Sequence, residues 1–280
     1  MRIRYLVIYF LFISHSFGEV ATREEIKEIF YKAINSKEID DEKRFYLLVL
    51  AARNVRKRMP EAPEIEELYL NAFKINIKPE HKIRAYFELF QHFYILKNNY
   101  KIKKHIKTVD ILIEKLKDKK FKKGVMLSRD YYIVVSTNDT VQESLGKPIT
   151  HFFGSVYDFD LVYRELDILI TKKKFQEAFK LLNLKGVHSN DYSDIILTFD
   201  LLGYLNNKQT TNCDKFAKKF KGDPLSNACL SLKQYKLNKK VVYLKKIQEI
   251  FGNKKQYKLM QAVVSEIISQ KSAAKSDKLE

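Results

Sequence analysis

Apolar residues recur along this chain at the spacing of an α-helix, and very little interrupts them. Thr22-Arg23-Glu24-Glu25 has the form of a capping box ahead of Ile26, Ile29, Phe30, Ala33 and Ile34, which share one helical face. Asp40 is placed to cap a long helix through Phe45, Leu47, Leu48 and Leu50, which must stop before Pro60. Pro63 opens a helix to about Phe73, and Pro79 opens another through Phe87, Phe90 and Ile95 to Asn98. Ile102, Ile106, Val109, Ile113 and Leu116 continue the pattern between Tyr100 and Asp118. Eight glycines and five prolines in 280 residues supply too few turns for a many-stranded β fold. The pattern predicts an all-α chain whose first helix pairs begin near residues 22, 63 and 100.

From 119 to 155 the signal weakens, and an irregular segment is expected there. "MLSRDYYIVVSTND" reads equally as helix or β-prone segment, because its apolar run is short and continuous. "TVQESLGKPITHFFGS" carries Gly146, Pro148 and Gly154 and reads as a loop. A linker over 137–157 would then separate an N-terminal helical region, 19–136, from a second one, 158–270. In the second region helices are expected near 158, 174, 190, 211, 224, 240 and 254, so pairs begin at 158, 190 and 224.

That spacing is close to the ~34 residues of a tetratricopeptide unit. "LDILITKKKFQEAFKLL" resembles this family, with Phe175, Ala178 and Leu182 at the aromatic, small and large positions of its second helix. Leu202-Gly203 is similar to the Leu-Gly pair of its first helix, although Asn206 stands where an aromatic is usual. The resemblance implies an α-solenoid of stacked antiparallel helix pairs, with a concave face that binds a protein or peptide and no common catalytic set. Its last helix, from 254 to about 270, would cap the stack, leaving 271–280 as a disordered tail.

The N-terminus has the order of a secretory signal peptide. Arg2 and Arg4 precede an apolar run from Tyr5 to Ile13, and small residues stand at Ser16 and Gly18. The run falls well short of the ~20 residues that span a bilayer, so cleavage before Glu19 is expected rather than an uncleaved anchor. No later stretch is apolar enough to cross a membrane, so the mature chain is expected to be exported, periplasmic or secreted, without a transmembrane span.

Export gives meaning to the two cysteines, because thiols outside the cytosol tend to oxidise. Cys213 and Cys229 lie eight residues either side of Lys221. If Lys221-Gly222-Asp223 joins antiparallel helices, equal distance from the turn means equal height, at ~1.5 Å per residue. Cys213, Phe216, Ala217 and Phe220 form one stripe, and Leu225, Ala228, Cys229 and Leu232 the other. A disulfide is expected, the alternative being two buried thiols. No histidine is near enough to complete a zinc set.

The formal net charge is +18. Lys97, Lys101, Lys103, Lys104, Lys107, Lys115, Lys117, Lys119, Lys120, Lys122 and Lys123 form one block against Asp110, Glu114 and Asp118. Between Thr137 and Asp167 the balance reverses, with six acids against Lys147 and Arg164. Acidic partners should be drawn to the lysine block. Tyr94, Tyr100 and Phe121 lie nearby, but they fall at helical core spacing, which together with export argues against nucleic acid.

No zinc-protease, nucleotide-binding or α/β-hydrolase motif is present. His81 and His92 would lie ~16 Å apart on one helix, too far to share a metal. His105, among lysines, is expected at the surface, and His151 and His188 in loops. Asp158-Phe159-Asp160 suits a helix N-terminus better than a divalent cation. Gln142-Glu143-Ser144 resembles the Glu-Ser pair of soluble lytic transglycosylases, whose acid Glu cleaves peptidoglycan, but that family's following Gly-Leu-Met-Gln segment does not appear. The sequence therefore predicts an exported helical-repeat scaffold or adaptor with no catalytic, cofactor or metal residues. Two alternatives are a binder of anionic envelope material, membrane surface or polymer, through the lysine-rich face, and a cell-wall glycan-active enzyme.

Overall fold

The computed structural model describes residues 39–186, 193–252 and 257–276. The signal-peptide segment 1–18, the helix expected from Thr22, and His188 lie outside these residues. Among the described residues there are thirteen α-helices, one short 3-10 helix and no strand. They divide into two compact units, meeting at Ser136 and Thr137.

Unit 1 contains α1 (Asp41–Arg58), α2 (Glu64–Lys74), α3 (Pro79–Ile95), α4 (Asn99–Glu114) and α5 (Lys119–Val135). Each packs on the next, and α3 also packs on α5. Their starts are local chemistry: Asp40 accepts a hydrogen bond from the Lys43 amide at 2.8 Å, and Pro79 opens α3. Asn98 and Asp118 cap α4 and α5 in the same way as Asp40. The core is aromatic, with Phe73 stacked on Tyr86 at 3.7 Å and Tyr132 set against Phe87 and Phe90. Glu88 joins three helices, holding Arg53 of α1 by both carboxylate oxygens and accepting from the Tyr69 hydroxyl of α2 at 3.0 Å.

Helix α5 corrects the irregular segment expected from 119. Val125, Tyr132 and Val135 face inward, so the "MLSRDYYIVV" run is a helix seated on α3 and α4. Arg129 fixes it by a two-pronged pair to Asp110 of α4, with Nε donating to Oδ1 at 2.8 Å. The apolar run is continuous because one side is buried and the other half-exposed, and that distinction is not written in the sequence.

His105 is also a correction: it is buried, between the rings of Tyr86 and Phe93. Its Nε2 makes no hydrogen bond. Burial first, and Lys104 second, push its pKa below the ordinary value, and burial followed by Arg56 does the same for His92. As pH falls through about 6.5, the unfolded chain takes up protons that folded unit 1 refuses. Unit 1 should therefore lose stability on acidification, by up to about 1.4 kcal/mol per pH unit for each histidine, until the folded pKa is reached. Hydrogen exchange of unit 1 amides between about pH 7.5 and about pH 5 tests this, and His105→Phe should flatten the dependence.

Unit 2 contains α6 (Val141–Leu145), the 3-10 turn Ile149–Phe152, α7 (Asp158–Thr171), α8 (Phe175–Lys185), α9 (Ser193–Leu205), α10 (Asn212–Lys219), α11 (Pro224–Asn238), α12 (Val242–Phe251) and α13 (Lys258–Ser276). Successive helices from α7 to α13 pack against one another. Helix α9 is the axis of the unit: Ile195 through Gly203 are all buried, because α8, α10, α11 and α13 surround it. A helix buried on every side can only be a central one. Helix α13 packs on α12, but it also returns against α7 and α9, burying Met260, Val263, Val264 and Ile267. It thus closes the unit rather than only ending a row, and it stays helical to Ser276, past the tail expected from 271.

Ala178 and Leu182 are buried. Gly203 sits where a Cβ would come within 2.7 Å of the Thr210 methyl group, so only glycine admits that approach. Asn206 donates to the carbonyls of Phe175 and Leu202. Cys213 on α10 and Cys229 on α11 form the disulfide, with Cα atoms 5.2 Å apart and both residues buried. Gly222, at φ +86°, turns the chain between them, and Asp223 caps α11. Phe220 departs from the expected stripe; it ends α10 and is exposed.

Candidate functional surface

Glu143, Asp158, Glu165 and Asp167 are engaged within unit 2. Glu165 of α7 accepts the Val141 amide at 2.9 Å, and Asp158 accepts the Gly154 amide at 2.8 Å and pairs with Lys185 at 2.6 Å. Asp167 pairs with Lys258 of α13. Arg164 donates to the carbonyls of Thr137 and Asp139. Together these contacts tie the 137–157 segment to α7. Asp158 lies in the first turn of α7, but its carboxylate reaches back to Gly154 instead of capping its own helix.

Glu143 belongs to this set. It completes a capping box with Thr140, accepting the Thr140 amide at 2.8 Å, and also meets Lys172. The Thr140 amide, with help from Lys172, holds its pKa down to about 2. A general acid needs the reverse shift, so Glu143 stays ionised at any pH where a glycosidase would need its proton.

Among the described residues, no three His, Cys, Asp or Glu side chains stand close enough to hold a metal ion. His81 bonds the Tyr46 hydroxyl through Nδ1 at 2.8 Å, whereas His92 is buried. His151 lies exposed on the 3-10 turn. A cavity of about 360 Å³ lies at the α1–α2 turn, lined by Met59, Pro60, Glu61, Ala62 and Pro63. A single titratable group there offers no acid–base pair.

The lysine block does not form one patch. Lys115, Lys117, Lys119, Lys120, Lys122 and Lys123 gather around the α4–α5 turn, at the far end of α4 from Lys97. Lys101 is half-buried, paired with Glu66 and set 5.4 Å over the Phe93 ring. Lys103, Lys104 and Lys107 all project from the outward face of α4 and have no ion-pair partner among the described residues. Ile102, His105, Ile106, Val109 and Ile113 occupy the opposite, buried face.

The aromatics nearby are not all core residues. Tyr100 is 75% exposed, and Ile111, three turns along the same outward face, is 57% exposed. Ile95, at the end of α3, is 60% exposed. Phe121 is half-buried, with the Arg84 guanidinium 5.4 Å over its ring. Sequence reasoning placed Tyr100 inside and did not single out Ile111. The available signal was the angle: Tyr100, Lys104, Lys107 and Ile111 recur at i, i+4, i+7 and i+11, which is a stripe of its own opposite the core stripe.

Among the described residues no helix is long and apolar enough to cross a membrane. Compared with protein-family models, with curated proteins and with solved structures, the chain gives no match, so the roles of its residues rest on its own geometry.

Proposed function

We propose that this chain is an exported, non-catalytic helical scaffold that binds an acidic partner through the outward face of α4. The observation that carries the reading is the unpaired trio Lys103, Lys104 and Lys107, side by side with exposed Tyr100 and Ile111. Single exposed apolar residues are ordinary; their alignment with unneutralised lysines along one helix is not.

The pairs α7–α8, α9–α10 and α11–α12 are read as tetratricopeptide-like units, supported by Ala178 and Gly203 at their small positions. In that family a peptide lies in the concave groove. Here α13 rests on α7 and α9, the first helices of two successive pairs, so the partner is assigned to the surface of unit 1.

Binding to poly-L-glutamate, followed against sodium chloride, tests the reading. Raising salt from about 50 mM to about 300 mM should weaken binding roughly tenfold or more, and reversing Lys103, Lys104 and Lys107 to Glu should abolish it. A triple variant that binds like the parent would refute the assignment. Glu143→Gln should leave the chain's behaviour in a wall-digestion assay unchanged, because that carboxylate is a helix cap.

A further inference from the structure

We infer that the partner is a lipid bilayer bearing anionic headgroups, on which unit 1 lies with α4 flat in the interface; this rests on the acidic-partner reading above. Tyr100 and Ile111 enter the headgroup region from the centre line of the face. Lys107 lies on that line between them, Lys103 and Lys104 flank it, and all three meet the phosphates.

The geometry distinguishes a bilayer from other acidic partners. Taking Tyr100 as zero on a helical wheel of 100° per residue, Lys107 and Ile111 fall within ~20° of it, and Lys104 and Lys103 lie at about 40° and 60° on either side. Exposed apolar side chains in line with cations are the pattern of a helix lying in a membrane interface, where apolar side chains sink and lysines extend to the headgroups; Glu114, exposed on the same face about 40° from the line, is outnumbered by the three lysines. A soluble polyanion would use the lysines and ignore Ile111. A protein partner would need a pocket matched to that ridge, whereas a bilayer accepts it without one. The helix has 16 residues, so its face runs ~24 Å, long enough to rest along a surface. The buried face of α4 is already held by Ile102, Ile106, Val109 and Ile113, and Asp110 is clamped by Arg129. Docking therefore needs no unfolding, and the face is presented in advance by unit 1.

Electrostatic attraction and apolar insertion act together, and a modest cluster of each gives reversible binding. This predicts a peripheral protein, drawn to negative leaflets and released by salt.

The test uses the protein as purified from cells, wild type and variants sharing the same processed N-terminus. Cosedimentation is measured with neutral phosphatidylcholine vesicles, with vesicles of phosphatidylcholine and phosphatidylglycerol, and with poly-L-glutamate as a soluble competitor. Because the chain has no tryptophan, Ile111→Trp supplies a single fluorophore, with Val156→Trp, at an exposed position of unit 2, as the control. The expected result is binding to the anionic vesicles, with a blue shift for Ile111→Trp and none for Val156→Trp. The double variant Tyr100→Ser/Ile111→Ser should lose at least ~10-fold in vesicle binding while poly-L-glutamate binding is retained. Both side chains lie outside the core, so circular dichroism should show unchanged folding. If the double variant binds anionic vesicles as tightly as wild type while charge reversal still abolishes binding, the bilayer inference falls and the acidic-partner reading stands. If wild type binds neither vesicles nor poly-L-glutamate, both fall.

Discussion

Loss of the Cys213–Cys229 bridge, in the double variant Cys213→Ala/Cys229→Ala, should lower the stability of unit 2 by about 3 kcal/mol. The two residues are 16 apart in sequence, so the cross-link closes a short loop and removes open conformations from the unfolded chain. For a domain with a total stability of about 5–15 kcal/mol, that is a large share. The chemical-denaturation midpoint of unit 2, read with and without reductant, measures the effect. Both cysteines are buried, so reduction without denaturant should be slow, because a thiolate must reach sulfur that native packing covers. Peptide mapping without reductant should yield a 213–229 cross-linked fragment. Oxidised and reduced protein with the same midpoint would show that the bridge does not hold the α10–α11 hairpin.

Asp200→Ala should cost about 2–3 kcal/mol, for a different reason. Asp200 lies on the central helix α9, buried, and its Oδ2 accepts the Cys213 amide at 3.0 Å, one of the unpaired donors at the start of α10. The side chain is a tertiary cap, reaching from one helix to the N-terminus of another, where the helix dipole favours its charge. Removing it strands a buried N–H group and leaves Lys236, 4.0 Å away, without its acid. Asp200→Asn keeps an acceptor and should recover about half of the loss. Because the capped amide belongs to Cys213, the effects of Asp200→Ala and of losing the disulfide should not add, which a double-mutant cycle would detect.

Asp200 also sets a pH response opposite in sign to that of unit 1. Burial raises its pKa against the lowering effects of the Cys213 amide and Lys236, and burial likewise raises Glu165 against the Val141 amide. An acid whose folded pKa is raised takes up its proton in the folded state first, so stability rises as pH falls through that folded value. Acidification through those folded values should therefore favour unit 2 through these two carboxylates, whereas acidification below about 6.5 disfavours unit 1 through His92 and His105. Unit-resolved hydrogen exchange separates the two trends.

Sequence alone determined where most helices begin and end. Asp40, Pro63, Pro79 and Pro224 act on neighbours within four residues, so their effect is visible without knowing what the helix touches. The disulfide was legible for the same reason, since a short symmetric hairpin fixes both heights. What packs on each face is settled by residues far away in the chain, and only the tertiary structure decided it. That is why α5 read as irregular, why His105 was expected outside and Tyr100 inside, and why α13's return to α7 and α9 carried no local mark. The tertiary caps from Glu165 and Asp200 belong to the same class. A periodic pattern tells that a helix has two faces; which one meets the core depends on the partner that removes it from water.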